Sequence, residues 1–317
     1  MRFDFRKHQR RLWHLLLVLL FSGSLLFHQP PPTIANPATG FDGTEALANA
    51  THLATTIGER AAGSEGERVA AAWLATQFTN LGYSVTVEPF AFTRLGKATL
   101  GMNIVAVKAG QPDSGTIYIG AHYDTAPYPF AGPGANDNAS GVGVLLETAR
   151  ILTTQPLTPT LTLVAFGAEE DYLVGSSRYV AQLTPVERMQ AVAMLNLDCV
   201  GIGTALYLNV IRKEHLAFAQ KLGITVDEIR YDPRAQSDHA SFAAIGMPAL
   251  YFDMHNPGEH PCGRDYHTAR ECADKLDVAA LQRTGDALLT ALTTLSDQEA
   301  RRPIWQHYLP LVHNASR

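Results

Sequence analysis

GAHYDTAPYPFAGPGANDNASGVGVLLETAR, residues 120–150, decides how the rest of the chain is read. An apolar run over Thr116 to Ala121 ends on His122 and Asp124, a Pro- and Gly-rich loop follows, and Asp137 stands where a helix opens. An imidazole and carboxylates gathered where a strand stops and a helix starts are preferred ligands of a divalent transition metal, zinc first among them. Three more apolar runs end the same way. Leu161 to Gly167 leads into Glu169 and Glu170, Ala191 to Leu197 into Asp198, and Pro248 to Met254 into a loop carrying His267. In open α/β sheets ligands collect beyond the carboxyl ends of the strands, so this recurrence predicts one shared crevice.

His122, Asp137, Glu170, Asp198 and His267 together supply two imidazoles and three carboxylates. One metal rarely uses all five, whereas two cations sharing a bridging carboxylate use them without remainder, and such a pair is a recurrent device of hydrolases. Asp137 is the natural bridge. Glu169, beside a candidate ligand, is assigned as the base that takes a proton from water and returns it to the leaving amine. Singly, His122 reads as a hydrogen-bonded histidine at a strand end and Asp137 as a helix cap. The ordered set carries the metal reading. The chain has no HExxH helix, GxSxG elbow, Walker loop or GxGxxG following a strand, which disfavours serine hydrolases and nucleotide binders.

The 317 residues carry a formal charge of −5 and 46% apolar residues, with no long basic run past the amino terminus, so nucleic acid is excluded as a partner. Arg2, Arg6, Lys7, Arg10 and Arg11 precede the Leu-rich run Leu12 to Phe27. That pattern predicts, over residues 1–40, an export signal or membrane anchor with a Pro-rich linker, with cleavage after Ala35 the expected processing. The protein is then extracellular or periplasmic, touching a membrane only through that segment if it stays uncleaved. Cys262 and Cys272 bracket His267 and are expected to pair, leaving Cys199 as a buried thiol. A single domain holding the candidate metal ligands is assigned to residues 41–298 and a tail to 299–317.

Helical spacing marks Thr44 to Gly58, then a helix with Ser64 and Glu67 at capping-box spacing and Gly82 at its carboxyl cap. Further helices are expected over Gly141 to Thr153, Gly175 to Leu183, His215 to Gly223, briefly after Ser237 or Asp238, and over Leu276 to Leu295. Alternating runs at Gly82 to Phe90 and Met102 to Gly110 predict an early antiparallel pair; the later strands, Ala205 to Ile211 included, belong to a mixed sheet. Tyr251, Phe252, Asp253, His255 and His260 read as core or surface positions, and Asp238 and His239 as loop-holding ones.

The phrases GAHYDT, PGANDNASG, FGAEE, NLDCVG, SDHASF and DYHTARECADKLD, in that order within residues 45–295, resemble the co-catalytic di-zinc aminopeptidases, the bacterial leucyl-type enzymes related to glutamate carboxypeptidases and glutaminyl cyclases. The resemblance implies a three-layer α/β/α fold with a mixed, mostly parallel central sheet. It implies one zinc held by His122 and Asp198, a second by Glu170 and His267, and Asp137 bridging the two. It further implies Glu169 as general base, Asp124 orienting His122, Tyr266 stabilising the oxyanion, and a cis peptide between Asp137 and Asn138. The expected activity is removal of the amino-terminal residue from peptides with a free amine, by a metal-activated water. Three alternatives stand beside it. A glutaminyl cyclase would use one zinc on the same scaffold, and a carboxypeptidase would need a basic pocket built from Arg212, Arg230 or Arg234. A non-catalytic binding domain would have lost candidate ligands that this chain retains.

Overall fold

Period-two alternation sorts the strand side chains into two cores, one on each face of a single sheet. In the computed structural model, which describes residues 40–297, Ile117, Ile119 and Ala121 enter one core while Tyr118 enters the other. Leu161, Leu163 and Ala165 part from Val164 and Phe166 in the same way. Strands apolar on both faces need cover on both, and helices supply it. The expected export segment and linker over residues 1–40, all but Gly40, and the expected tail over 299–317 lie outside the described residues.

The eight strands are β1 Ser84–Arg94, β2 Lys97–Lys108, β3 Thr116–His122, β4 Thr160–Phe166, β5 Ala191–Leu197, β6 Ala205–Val210, β7 Glu228–Tyr231 and β8 Ala249–His255. They lie in the order β1-β2-β4-β3-β5-β8-β6-β7. β3–β4, β3–β5, β5–β8 and β6–β7 are parallel, and β1–β2, β2–β4 and β6–β8 antiparallel, so the sheet is mixed, with three parallel pairings in its centre and a fourth at one edge. The helices are α1 Gly43–Thr51, α2 Glu65–Asn80, α3 Gly141–Leu152, α4 Val174–Gln182, α5 Pro185–Gln190, α6 Leu216–Lys221, α7 His239–Ala244 and α8 Val278–Ser296. Residues of α1, α2, α3, α6 and α8 fill the larger core and those of α4 and α7 the smaller. The expected three-layer α/β/α architecture is the one the chain adopts.

Several elements differ from the sequence expectation for identifiable reasons. β1 and β2 run on to Arg94 and Lys97 and close through Leu95 and Gly96, both at positive φ (47° and 77°), the twist that two-residue hairpin turns favour. Ser64 caps α2, accepting from Glu67 N at 3.1 Å, but Glu67 does not complete a capping box. Its carboxylate accepts from Gly63 N at 2.5 Å and Met102 N at 3.1 Å, tying α2 to β2. β7 and α5 were not expected; β7 is an edge strand of four residues, too short for its Glu-Ile-Arg-Tyr alternation to stand out.

The cysteine pairing is corrected. Cys199 is bonded to Cys262, and Cys272, half-buried, is the free thiol. The loop after β8 folds over the end of β5 and brings the two Cα atoms to 4.9 Å, across a sequence separation of 63. A link closing a loop of that length stabilises chiefly by restricting the unfolded chain. Cys262→Ser is expected to lower stability by about 2–4 kcal/mol in denaturant titrations without reductant, while Cys272→Ser shifts it by no more than about 0.5 kcal/mol.

Candidate active site

β3 lies between β4 and β5, so the chain leaves its carboxyl end first to one side and then to the other, which opens a crevice at that point. His122 is the last residue of β3, Glu169 and Glu170 follow β4, Asp198 follows β5, and Asp137 sits in the Ala135–Ser140 turn leading into α3. His267 arrives from the loop after β8. All five candidate ligands meet. His122 Nε2 lies 3.0 Å from Asp137 Oδ1 and 3.4 Å from Asp198 Oδ1. His267 Nε2 lies 3.2 Å from Asp137 Oδ2 and 2.9 Å from Glu170 Oε1. Asp137 thus turns one oxygen to each imidazole, with one further carboxylate on each side.

Backbone geometry supports this convergence. The Asp137–Asn138 peptide is cis. Ala168 before Glu169, Cys199 after Asp198, and His267 itself all hold positive φ (55°, 54° and 57°), conformations costing on the order of 1–3 kcal/mol each that the surrounding contacts must sustain. At Gly134, also left-handed, a Cβ would stand 2.3 Å from Asp137 O, so only glycine allows the turn.

Asp124 Oδ1 accepts from Glu169 N at 3.1 Å and Oδ2 from Glu170 N at 3.3 Å, while His122 Nδ1 stands 3.5 Å away. One buried carboxylate therefore fixes the turn that presents both glutamates and faces the back of His122. The site roles of three further residues escaped the sequence reading. Glu271 accepts from Asp137 N at 2.5 Å and from His267 N at 3.2 Å, joining the two backbones. Ser237 donates to Asp198 Oδ2 at 2.7 Å. Arg60, fully buried, donates to Tyr123 O at 2.7 Å, Pro133 O at 2.8 Å and Gly134 O at 3.2 Å, pinning the loop before Asp137 to the end of β3. Glu271 lies inside a phrase quoted for the resemblance; no sequence signal marks Arg60.

Burial pushes Glu169 well above the ordinary carboxylate range, raises Asp198, and lifts Glu170 to about 7 and Glu271 to about 8. Asp137 moves the other way: burial opposes its charge, but the facing imidazoles of His122 and His267 hold it below its usual range. Burial also opposes charge on the imidazoles, yet the facing carboxylates carry His267 up to about 10 and His122 well above its ordinary value. The cluster therefore demands positive charge at its centre. Neither ring nitrogen of His122 nor Asp198 Oδ1 has an aligned hydrogen-bond partner despite full burial. Orphaned nitrogen and oxygen donors converging in that way fit divalent zinc. His122, Glu169 and Asp198 form one close group, and Asp137, Glu170 and His267 another.

Two cavities flank the cluster. One, of about 490 Å³, is lined by Asp137, Glu169, Asp198 and Tyr266 together with Arg230 and Asp253. The other, of about 1020 Å³, is lined by Glu170 and His267 with Phe92, Tyr128, Phe130 and Tyr172. The extended β1–β2 hairpin supplies the wall at Phe92. Tyr266 stacks on His267 (centroids 3.7 Å apart) and on His260 (4.4 Å). Burial and the nearby carboxylates raise its phenol, which stays a proton donor. Tyr251, Asp253 and His255, expected in core or surface positions, line the smaller cavity because their face of β8 turns toward it, and His260 joins them from the following loop; Phe252 is core as expected. Asp238 and His239 are fully buried. Arg212 faces away, pairing with Glu214 at 2.6 Å, while Arg230 and Arg234 reach the smaller cavity.

Known proteins are similar to this chain. The chain is 32% identical over 239 residues to aminopeptidase YwaD of Bacillus subtilis (strain 168), covering 70% of this chain and 51% of that protein. It spans about half the length of the curated relatives it matches. Among solved structures, BSAP, a zinc aminopeptidase from Bacillus subtilis, superposes with a TM-score of 0.71 at 21% identity, over 82% of this chain and 96% of that one. Porphyromonas gingivalis glutaminyl cyclase does so with a TM-score of 0.69 at 25% identity, over 80% and 98%. The profile described as Peptidase family M28 matches residues 103–292. That span is more than half of the chain and contains His122, Asp137, Glu169, Glu170, Asp198 and His267, so the protein belongs to peptidase family M28.

Proposed function

We propose that the protein is an exported di-zinc aminopeptidase acting on peptides with a free amino terminus. The observation that carries this reading is the division of Asp137, one carboxylate oxygen toward His122 and the other toward His267. His122 with Asp198 would hold one zinc and Glu170 with His267 the other, Asp137 serving both. When bound, the ions supply Lewis-acid polarisation of the scissile carbonyl and a water acidified to near neutrality.

The remaining chemistry belongs to this chain's own residues. Glu169, in the smaller cavity with its backbone fixed by Asp124, takes the proton of the attacking water and delivers it to the leaving amine. Tyr266, held against His267, donates its hydroxyl proton toward the developing oxyanion. Asp124 holds His122 and the glutamate turn in register. Export through the basic and Leu-rich amino-terminal segment is part of the same proposal, with membrane contact only if that segment is retained.

The test is a substrate panel with and without added zinc: free-amine aminoacyl anilides, their blocked equivalents, carboxyl-end substrates and glutaminyl peptides. Turnover confined to free-amine anilides, zinc-dependent and accompanied by about two zinc ions per chain, is the expected result. Turnover of blocked or carboxyl-end substrates alone overturns it, and cyclisation of glutaminyl peptides with one zinc per chain points to the cyclase instead.

A further inference from the structure

β6 and β8 send Leu206, Leu208, Val210, Leu250, Phe252 and Met254 into the larger core. The alternate residues therefore share the opposite face. Register sets Asn209 beside Tyr251, Tyr207 beside Asp253, and Arg230 of β7 beside Asn209. The guanidinium of Arg230 lies over the Tyr207 ring, 3.7 Å from its centroid, with Nε donating to Asn209 Oδ1 at 3.1 Å and Nη2 3.4 Å from Asp253 Oδ2. His255 Nδ1 meets Asp253 Oδ1 at 2.7 Å, and Asn209 Nδ2 donates to Asp253 Oδ2.

The acids of the smaller cavity outside the metal cluster are thereby engaged. Asp253 meets three donors, Asp232 accepts from Arg234 N at 2.9 Å, and Glu259 accepts from Asn256 Nδ2 at 3.0 Å and Arg264 Nε at 2.9 Å. Among the described residues, Arg230 Nη1 makes no hydrogen bond, and the well-exposed Arg234 adds a second cation to the lining. A wall that engages its own acids and keeps a guanidinium N–H free selects a ligand with acceptors, and a fixed guanidinium suits a carboxylate best.

We propose that this cavity receives a carboxylate of the substrate and that Arg230 selects it. The carboxylate is either the side chain of an amino-terminal Glu or Asp or the free carboxyl group of a dipeptide. The proposal rests on the exopeptidase reading, because Glu169, Asp137 and Asp198 line the same cavity. Asp253, Asn209 and Tyr207 keep the guanidinium in place, so its selectivity is built before substrate arrives.

The zinc-loaded full chain is assayed on Glu-, Asp-, Gln- and Leu-p-nitroanilides, and separately on Leu-Gly against Leu-Gly amide. Calorimetric titration with L-glutamate and L-leucine accompanies both arms. In one arm the wild type should favour the carboxylate-bearing member in kcat/KM. In Arg230→Gln that preference should fall roughly ten- to a hundredfold, the range charge-assisted hydrogen bonds cover, with partial recovery in Arg230→Lys. An acidic preference in the anilide arm assigns the cavity to the amino-terminal side chain, and a preference in the dipeptide arm to the free carboxyl group. The proposal is overturned if the wild type favours the neutral member in both arms, or if Arg230→Gln slows all substrates alike. If no free-amine substrate turns over while glutamate still binds in an Arg230-dependent way, the peptidase reading fails and the pocket assignment stands.

Discussion

Glu169→Gln is expected to lower kcat by roughly 10²–10⁴-fold, the range general acid–base catalysis contributes, with zinc content close to that of the wild type. Glutamine keeps the shape and loses only the ability to take a proton. The turn that presents it is held through backbone N–H groups donated to Asp124, a contact the substitution leaves intact. Glu170, not Glu169, meets His267 at 2.9 Å, so the Asp137–Glu170–His267 group is undisturbed. Atomic absorption on the purified variant, beside steady-state kinetics, checks both halves; a drop in zinc would mean that the two glutamates have exchanged roles.

The same substitution carries a stability prediction of definite sign. Burial raises the carboxyl of Glu169 in the fold, so its ionisation opposes folding once pH exceeds the unfolded carboxylate range. The stability associated with the protonated form is present below that range and is lost as pH rises toward the folded value. Chelator-treated Glu169→Gln lacks this loss and should be at least as stable as the chelator-treated wild type at neutral pH, in urea titrations of both proteins.

The strands that build the site were legible because both of their faces are buried, which leaves apolar runs in the sequence that stop where His122, Glu169 and Asp198 begin. Residues acting through distant backbone were not. Arg60 reaches carbonyls of Tyr123, Pro133 and Gly134, each more than sixty positions away, and no local pattern encodes such a partner. Three cysteines define no pairing until the path of the loop after β8 is known, and Cys272 is nearer to Cys262 in sequence than the Cys199 it bonds. The pocket face of β8 was misread for a related reason. Tyr251, Asp253 and His255 alternate with core residues, but what covers them depends on the neighbouring β6 and β7, and the four residues of β7 are too few to mark a strand.

Asp137→Asn is expected to remove most zinc from both positions and to abolish measurable turnover, a larger loss than at Glu169. Both oxygens of Asp137 are engaged, at 3.0 Å from one imidazole and 3.2 Å from the other, so the residue serves two groups at once. An amide offers one neutral oxygen and, in place of the other, an NH2 that repels a cation. Its backbone would stay in place, because Asp137 N donates to Glu271 and the glycine at 134 sets the preceding turn. The effect should therefore appear in metal affinity rather than in folding. In the wild type, free zinc at about a hundred times its dissociation constant should raise unfolding stability by about 2.7 kcal/mol; the variant at the same zinc concentration should show almost none of that gain. A variant that loses turnover but keeps the full zinc-dependent stabilisation would show that Asp137 does not bridge, and would assign metal retention to the His122–Asp198 and Glu170–His267 pairs alone.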